Sequence, residues 1–189
     1  MPPTLKEAFA YARERQGQLN FQAPLGSYSH LDMLALTAAA GVKMVHLPSK
    51  GAGETLTALM RGDVQITNSN AASMLGPIRA GQVRAYAVTT EKRIAELPDV
   101  PTLTEAGFPG IGSVNWNGLF VPVAPPRAII ERIFKETTVV LGDPEMKDYL
   151  AKRLIPVALS ASSAAFNAYV QSEAKRWEKI IRDNKVTIE

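Results

Sequence analysis

Cysteine is absent from these 189 residues, which excludes disulfides and thiolate metal sites. Histidine occurs only at His30 and His46. The two lack metal-ligand spacing and no HExxH is present, so no structural metal is expected. No apolar run approaches the length that spans a bilayer. Residues 1–18 carry charges where the apolar centre of a secretory signal would lie, and read as a short amphipathic helix. A GxxxxGKS/T phosphate loop is missing, and so is a GxSxG elbow. No two acids are spaced for acid–base work. Ser29 and His30 are neighbours, but the members of a hydrolytic triad meet through separate segments. The chain thus shows no catalytic constellation, and neither an enzyme nor a cofactor is expected. Internal repeats and low-complexity tracts are missing too.

What is present is ordinary in amount. Hydrophobic residues make up 46% and charged ones 21%, the balance of a globular chain long enough for one core or two small lobes. The net charge is +3, with Lys and Arg scattered. That describes a solvated basic surface rather than a nucleic-acid footprint, and it would steer small anions.

Periodicity predicts an alternation of short strands and helices. Residues 19–23, 42–47, 64–67 and 83–88 read as strands. Residues 30–40, 51–61 and 71–80 read as helices, closed by Gly41, Gly62 and Gly81. Short Gly-containing connections between them imply parallel pairing with helical crossovers, an α/β lobe. The Pro/Gly-rich connection 91–113 carries capping-box spacing from Thr102 to Glu105. Beyond it come a strand at 115–121, a turn at 122–126, and a helix at 127–141. A further helix starts at Asp143-Pro144, an extended piece covers 155–159, and a long amphipathic helix runs from 162 to 183. Three helices with so few strands make this second region look half-built. The chain divides into a lead-in helix (1–18), an α/β lobe (19–114) and a helix-rich remainder (115–189).

Open α/β lobes bind ligands beyond the carboxyl ends of their strands, which singles out three loops. Gly26, Ser27, Tyr28, Ser29 and His30 form a hydroxyl-rich turn into a helix, where free N–H groups and the helix dipole favour an anion. Ser29 also suits a plain N-cap, with Asp32 completing a near capping box. Either role, or both, fits. His30 falls in the first helical turn, where histidine often packs or caps. In the second loop Lys50 and Gly51 precede a helix, Lys50 being either a carboxylate contact or a solvated lysine. The third loop holds Asn68, Ser69 and Asn70. Asn70 suits an N-cap, whereas Asn68 and Ser69 have no evident structural task and are expected to face a cleft.

Six stretches in order, GSYSH, LPSKGAG, IRAGQVRAYAVTTEKR, LPDVPTLTEAGFPG, WNGLFVPVAPP and EAKRWEKIIRDNKV, together resemble one family. It is the Bug-type substrate-binding proteins of tripartite tricarboxylate transporters, and the likeness runs from about Leu5 to Glu189. It implies a type II periplasmic-binding-protein fold: one lobe with a mainly parallel sheet flanked by helices, plus an incomplete second lobe. It further implies a small di- or tricarboxylate as ligand, membrane transporter subunits as partners, and a periplasmic location. With no signal peptide after Met1, a cytoplasmic location follows if Met1 is the true start. By the resemblance Ser27, Tyr28 and Ser29 match the helix N-terminus that approaches the ligand carboxylate, with Lys50-Gly51 and Asn68-Ser69 as neighbouring loops. Two departures stand out near the site. Ser49 replaces a usual tyrosine, and the GSYSH turn is one residue short. The family's first strand and first-lobe glycine loop are also missing. The helices of 127–183 would then lack strands to cover, so a homodimer or domain-swapped assembly is expected. The competing expectation is an interaction or regulatory module that no longer binds ligand and assembles through those helices.

Overall fold

A computed structural model describes residues 1–122 and 125–187. The chain forms two compact units, Met1–Asn115 with the described residues from Ile180 onward, and Trp116–Lys179.

The first unit opens with α1 (Leu5–Arg13), started by a capping box in which Thr4 and Glu7 bond each other's backbone N–H. Its buried residues Leu5, Ala8, Phe9 and Ala12 recur every three or four positions and so share one face. Next come β1 (Asn20–Ala23), α2 (Tyr28–Ala40), β2 (Val45–Pro48), α3 (Ala52–Arg61) and α4 (Ala71–Arg79). β1 and β2 pair in parallel from Asn20↔Val45 to Ala23↔Pro48. On the other edge of β1, Phe21 forms a parallel bridge to Ile66. β1 is therefore central and all three carboxyl ends lie along one edge, as βαβ crossovers require. Leu5 and Phe9 from α1, Phe21 from β1, and Met33 and Leu36 from α2 build one core with Ile66. Phe108 meets Phe9 edge-on at 5.4 Å. Burying each large side chain of this kind contributes about 1.5–3 kcal/mol.

The α/β expectation holds, but the sheet is smaller than the four expected strands. At 64–67 the ladder is reduced to one backbone bond, from the Gln65 N–H to the Asn20 carbonyl at 3.0 Å, and side chains supply the rest. Gln65 Oε1 accepts from the Asn20 N–H at 2.7 Å, and the Thr67 hydroxyl donates to the Gln22 carbonyl at 2.6 Å. Backbone groups thus find partners without a regular strand. At 83–88 only Val88 pairs, in parallel with Thr102, while the Tyr86 hydroxyl donates to the Pro2 carbonyl. The Thr102–Glu105 capping box is present, and Arg93 braces Glu105 at 2.9 Å.

The second unit contains α5 (Arg127–Gly142), α6 (Pro144–Ala151) and most of α7 (Ser163–Asp183). Asp143 caps α6 through Oδ1, which accepts from the N–H groups of Glu145 and Met146, with Pro144 in the first turn. Trp116 meets Phe166 and Tyr169 edge-on, and Phe120 leans on Phe166. A Cβ on Gly118 would lie 2.2 Å from Phe166 Cζ, so only glycine fits beneath that ring as it stands. The strands expected at 115–121 and 155–159 do not form among the described residues, since neither has a partner strand to bond. Of the expected 122–126 turn, Val123 and Ala124 lie outside the described residues. No residue of α5, α6 or α7 is buried.

Candidate functional site

The parallel arrangement leads three chain segments from the same sheet edge into three helices. α2 begins at Tyr28, two residues earlier than expected, and its N-cap is Ser27 rather than Ser29. Ser27 Oγ accepts from the His30 N–H at 3.3 Å and donates to the Pro24 carbonyl at 2.6 Å. With that proton committed, the Ser29 hydroxyl must donate to Ser27 Oγ, 2.8 Å away. The Gly26 N–H is taken by His30 Nδ1 at 3.2 Å, and the Ser27 N–H by the Pro24 carbonyl. What remains at the head of α2 is the N–H pair of Tyr28 and Ser29, which donate to no group among the described residues. No acidic side chain lies in that first turn, so the positive end of the helix dipole is left for an external anion.

α3 and α4 repeat the pattern. Gly51, the N-cap of α3, offers no side chain, and Asn70, the N-cap of α4, makes no side-chain capping bond. Glu54 does lie in the first turn of α3, where it accepts from the Lys50 N–H at 2.9 Å. α4 has no acid in its first turn. Lys50 is exposed and Ser69 half-buried.

Tyr28 joins the first and third loops, its hydroxyl donating to Asn70 Oδ1 at 2.9 Å. Asn115 reaches the same oxygen at 3.5 Å. Burial, and next the negative charge of Asp32, raise the Tyr28 phenol above its ordinary value, so it stays a neutral donor. Asn68 has a structural task after all: Nδ2 donates to Asp32 Oδ2 at 3.1 Å. The same oxygen accepts from the Ser113 N–H at 3.0 Å and the Ser113 hydroxyl at 2.6 Å. Asp32 is thus a buried carboxylate holding α2, the third loop and the 110–113 segment together, not part of a capping box.

His30 is packed rather than presented, 4% exposed. Its ring stacks on His46 with centroids 3.9 Å apart, and Phe21 lies 5.0 Å from His46. His46 Nε2 faces the Ala23 carbonyl at 2.9 Å, which can only accept, so Nε2 carries the proton. Burial first, and the neighbouring His46 second, lower His30 from 6.5 to about 4. It therefore supplies no positive charge near neutrality. Among the described residues no three His, Cys, Asp or Glu side chains gather to hold a metal.

The arrangement can hold an anion by oriented N–H groups without a fixed cation. Sequence reasoning gave Asp32 only a capping role and did not place Ser113, His46 or Gln22 at the site. Asp32 left one trace, a lone acid inside the apolar run HLDMLAL. The other partners come from distant segments and left none.

Residues 2–186 match the tripartite tricarboxylate transporter family receptor model. The "UPF0065 protein in tcbD-tcbE intergenic region" of Pseudomonas sp. (strain P51) is 35% identical over 172 residues, 90% of this chain and 51% of that protein. Among solved structures, Rhodopseudomonas palustris Rpa4515 with adipate superposes with a TM-score of 0.83 at 29% identity, over 98% of this chain and 62% of the other. MatC (Rpa3494) of Rhodopseudomonas palustris with bound malate gives 0.80 at 29% identity, over 95% and 63%. The chain spans about half the length of that Pseudomonas relative and under two thirds of those solved chains.

Proposed function

The chain belongs to the tripartite tricarboxylate transporter receptor family, a family of periplasmic solute-binding proteins rather than enzymes, and from that membership we propose that it binds a small organic carboxylate for delivery to membrane transporter subunits. The observation that carries this reading is the free N–H pair of Tyr28 and Ser29 at the head of α2. The uncapped starts of α3 and α4 on the same sheet edge add to it. A carboxylate accepting two backbone N–H groups is held by charge-assisted bonds that need no arginine. Gly26, Ser27, Tyr28, Ser29 and His30 shape the first loop; Lys50 and Gly51, with Asn68, Ser69 and Asn70, belong to the second and third. Structures of two relatives hold adipate and malate, which supports a carboxylate as the ligand class. Work in the periplasm goes with this reading.

The test is calorimetric titration of the chain with succinate, adipate, malate, aspartate and citrate. Tyr28→Pro removes one of the two free N–H groups yet suits the first helical position, and Ser27 before it is already extended, at φ −72 and ψ 163. It is expected to weaken binding about tenfold, the cost of one hydrogen bond to a charged group. Tyr28→Phe, which keeps the N–H, should bind as the parent does. No saturable binding to any of the five would refute the reading.

One observation favours a second reading, an interaction module. No residue of α5, α6 or α7 is fully buried, and a groove of about 550 Å³ on α5 is lined by residues including Ile129, Arg132 and Ile133. Light scattering showing a dimer that no carboxylate affects would support it.

A further inference from the structure

A negative charge is built into α2 close behind its anion-binding head. Asp32 follows Tyr28 by four residues and Ser29 by three, about one helical turn. Helical side chains lean back towards the N-terminus, which brings this carboxylate towards the end that carries the free N–H pair. The residue is 3% exposed. Its Oδ2 accepts from Asn68 Nδ2 at 3.1 Å, the Ser113 N–H at 3.0 Å and the Ser113 hydroxyl at 2.6 Å. Three donors on one oxygen, the shortest at the length of a charge-assisted bond, favour the ionised group. The Tyr28 phenol feels that charge, which raises it further after burial has done so.

The contacts alone do not call for a charge. An asparagine with its oxygen in the place of Oδ2 would meet the same donors. The surroundings do little to offset it on the ligand's side. The first and third loops contain no lysine or arginine, and His30 is neutral. Lys50 of the second loop is exposed, and Glu54 is bonded to its backbone N–H. In buried surroundings such a charge repels another at short range more strongly than it would in water.

We infer that Asp32 sets the charge specificity of this site. It favours a ligand with one carboxylate at the α2 head and a neutral remainder over a dianion or trianion of similar frame. The N–H pair supplies the attraction, and Asp32 taxes every further negative charge that the ligand brings.

The inference rests on the carboxylate reading, and the experiment separates the two. Succinamate, succinate and tricarballylate share a four-carbon frame and, above neutrality, carry successively more negative charge. Titrated into the full chain, succinamate is expected to bind at least as tightly as succinate. Asp32→Asn should tighten succinamate about threefold and succinate about tenfold, with tricarballylate gaining most, because each ligand charge is relieved of the one removed. A loss of packing would change all three alike. An equal change for the three ligands would therefore overturn the inference and leave the carboxylate reading standing. So would succinate binding the parent more tightly than succinamate. Binding of none of the three would overturn both readings. The parent comparison needs no variant, so a misfolded Asp32→Asn leaves the inference open to refutation.

Discussion

The two units use amphipathic helices of similar quality to opposite effect. In the first, α1 buries Leu5, Ala8, Phe9 and Ala12 on one face. In the second, no residue of α5, α6 or α7 is fully buried, and Leu119, Phe120 and Val139 are 69%, 67% and 63% exposed. The helices differ less than their surroundings do. A helix stripe is an offer of burial, taken up only where another element covers it, and the first unit supplies that cover from β1, α2 and the 101–108 segment.

Substitutions can break this contrast most directly. Phe21→Ala should cost about 3–5 kcal/mol by emptying the space beside His46; the exposed Leu119→Ala should stay within about 0.5 kcal/mol. Urea unfolding followed by far-UV circular dichroism measures both. Tryptophan fluorescence reads the second unit separately, because Trp116 and Trp177 both lie in it. Equal losses would mean that burial does not separate the units.

Acid should act on the first unit through His30. His30 is held neutral in the fold, its value lowered from 6.5 to about 4, so between those limits the unfolded chain binds the extra proton. Its contribution is complete above about pH 6.5, falls as pH drops towards 4, and is flat below that. The loss reaches about 3 kcal/mol at most. In the folded chain protonation comes only near pH 4, where it would take Nδ1 from the Gly26 N–H. His30→Gln, measured across pH 4–7, should flatten the profile; an unchanged slope would exclude this histidine as its source.

The smallest effect is local. Ser27→Ala removes the α2 cap and should cost about 1 kcal/mol, read as a lower urea midpoint. A Ser29→Ala loss of equal size would return the capping role to Ser29.

How much of this was legible in the sequence depends on the reach of each interaction. Helix ends were readable where the signal is adjacent: Gly41 and Gly62 close α2 and α3 in the left-handed conformation, and Asp143 with Pro144 opens α6. The start of α2 was misplaced because Ser27 and Ser29 can each cap, and the chain's choice depends on the Pro24 carbonyl. At 64–67 and 83–88 alternation shows which residues face inward, not whether a backbone ladder closes, so regular strands do not follow from it. The loops of the candidate site were found from strand-to-helix order. Which of their groups remain free depends on bonds such as Asn68 to Asp32 and Gln22 to Pro48, 36 and 26 residues apart, and local pattern carries no trace of those.

Asp32 has a consequence for how this chain is made. One of its oxygens waits for donors 36 and 81 residues downstream. During synthesis α2 can form early, yet its acid has no buried home until Ser113 emerges. Docking that face sooner would strand a charge away from water. The partners of this carboxylate are thus completed only by a contact of high sequence separation, a kind of contact that slows folding.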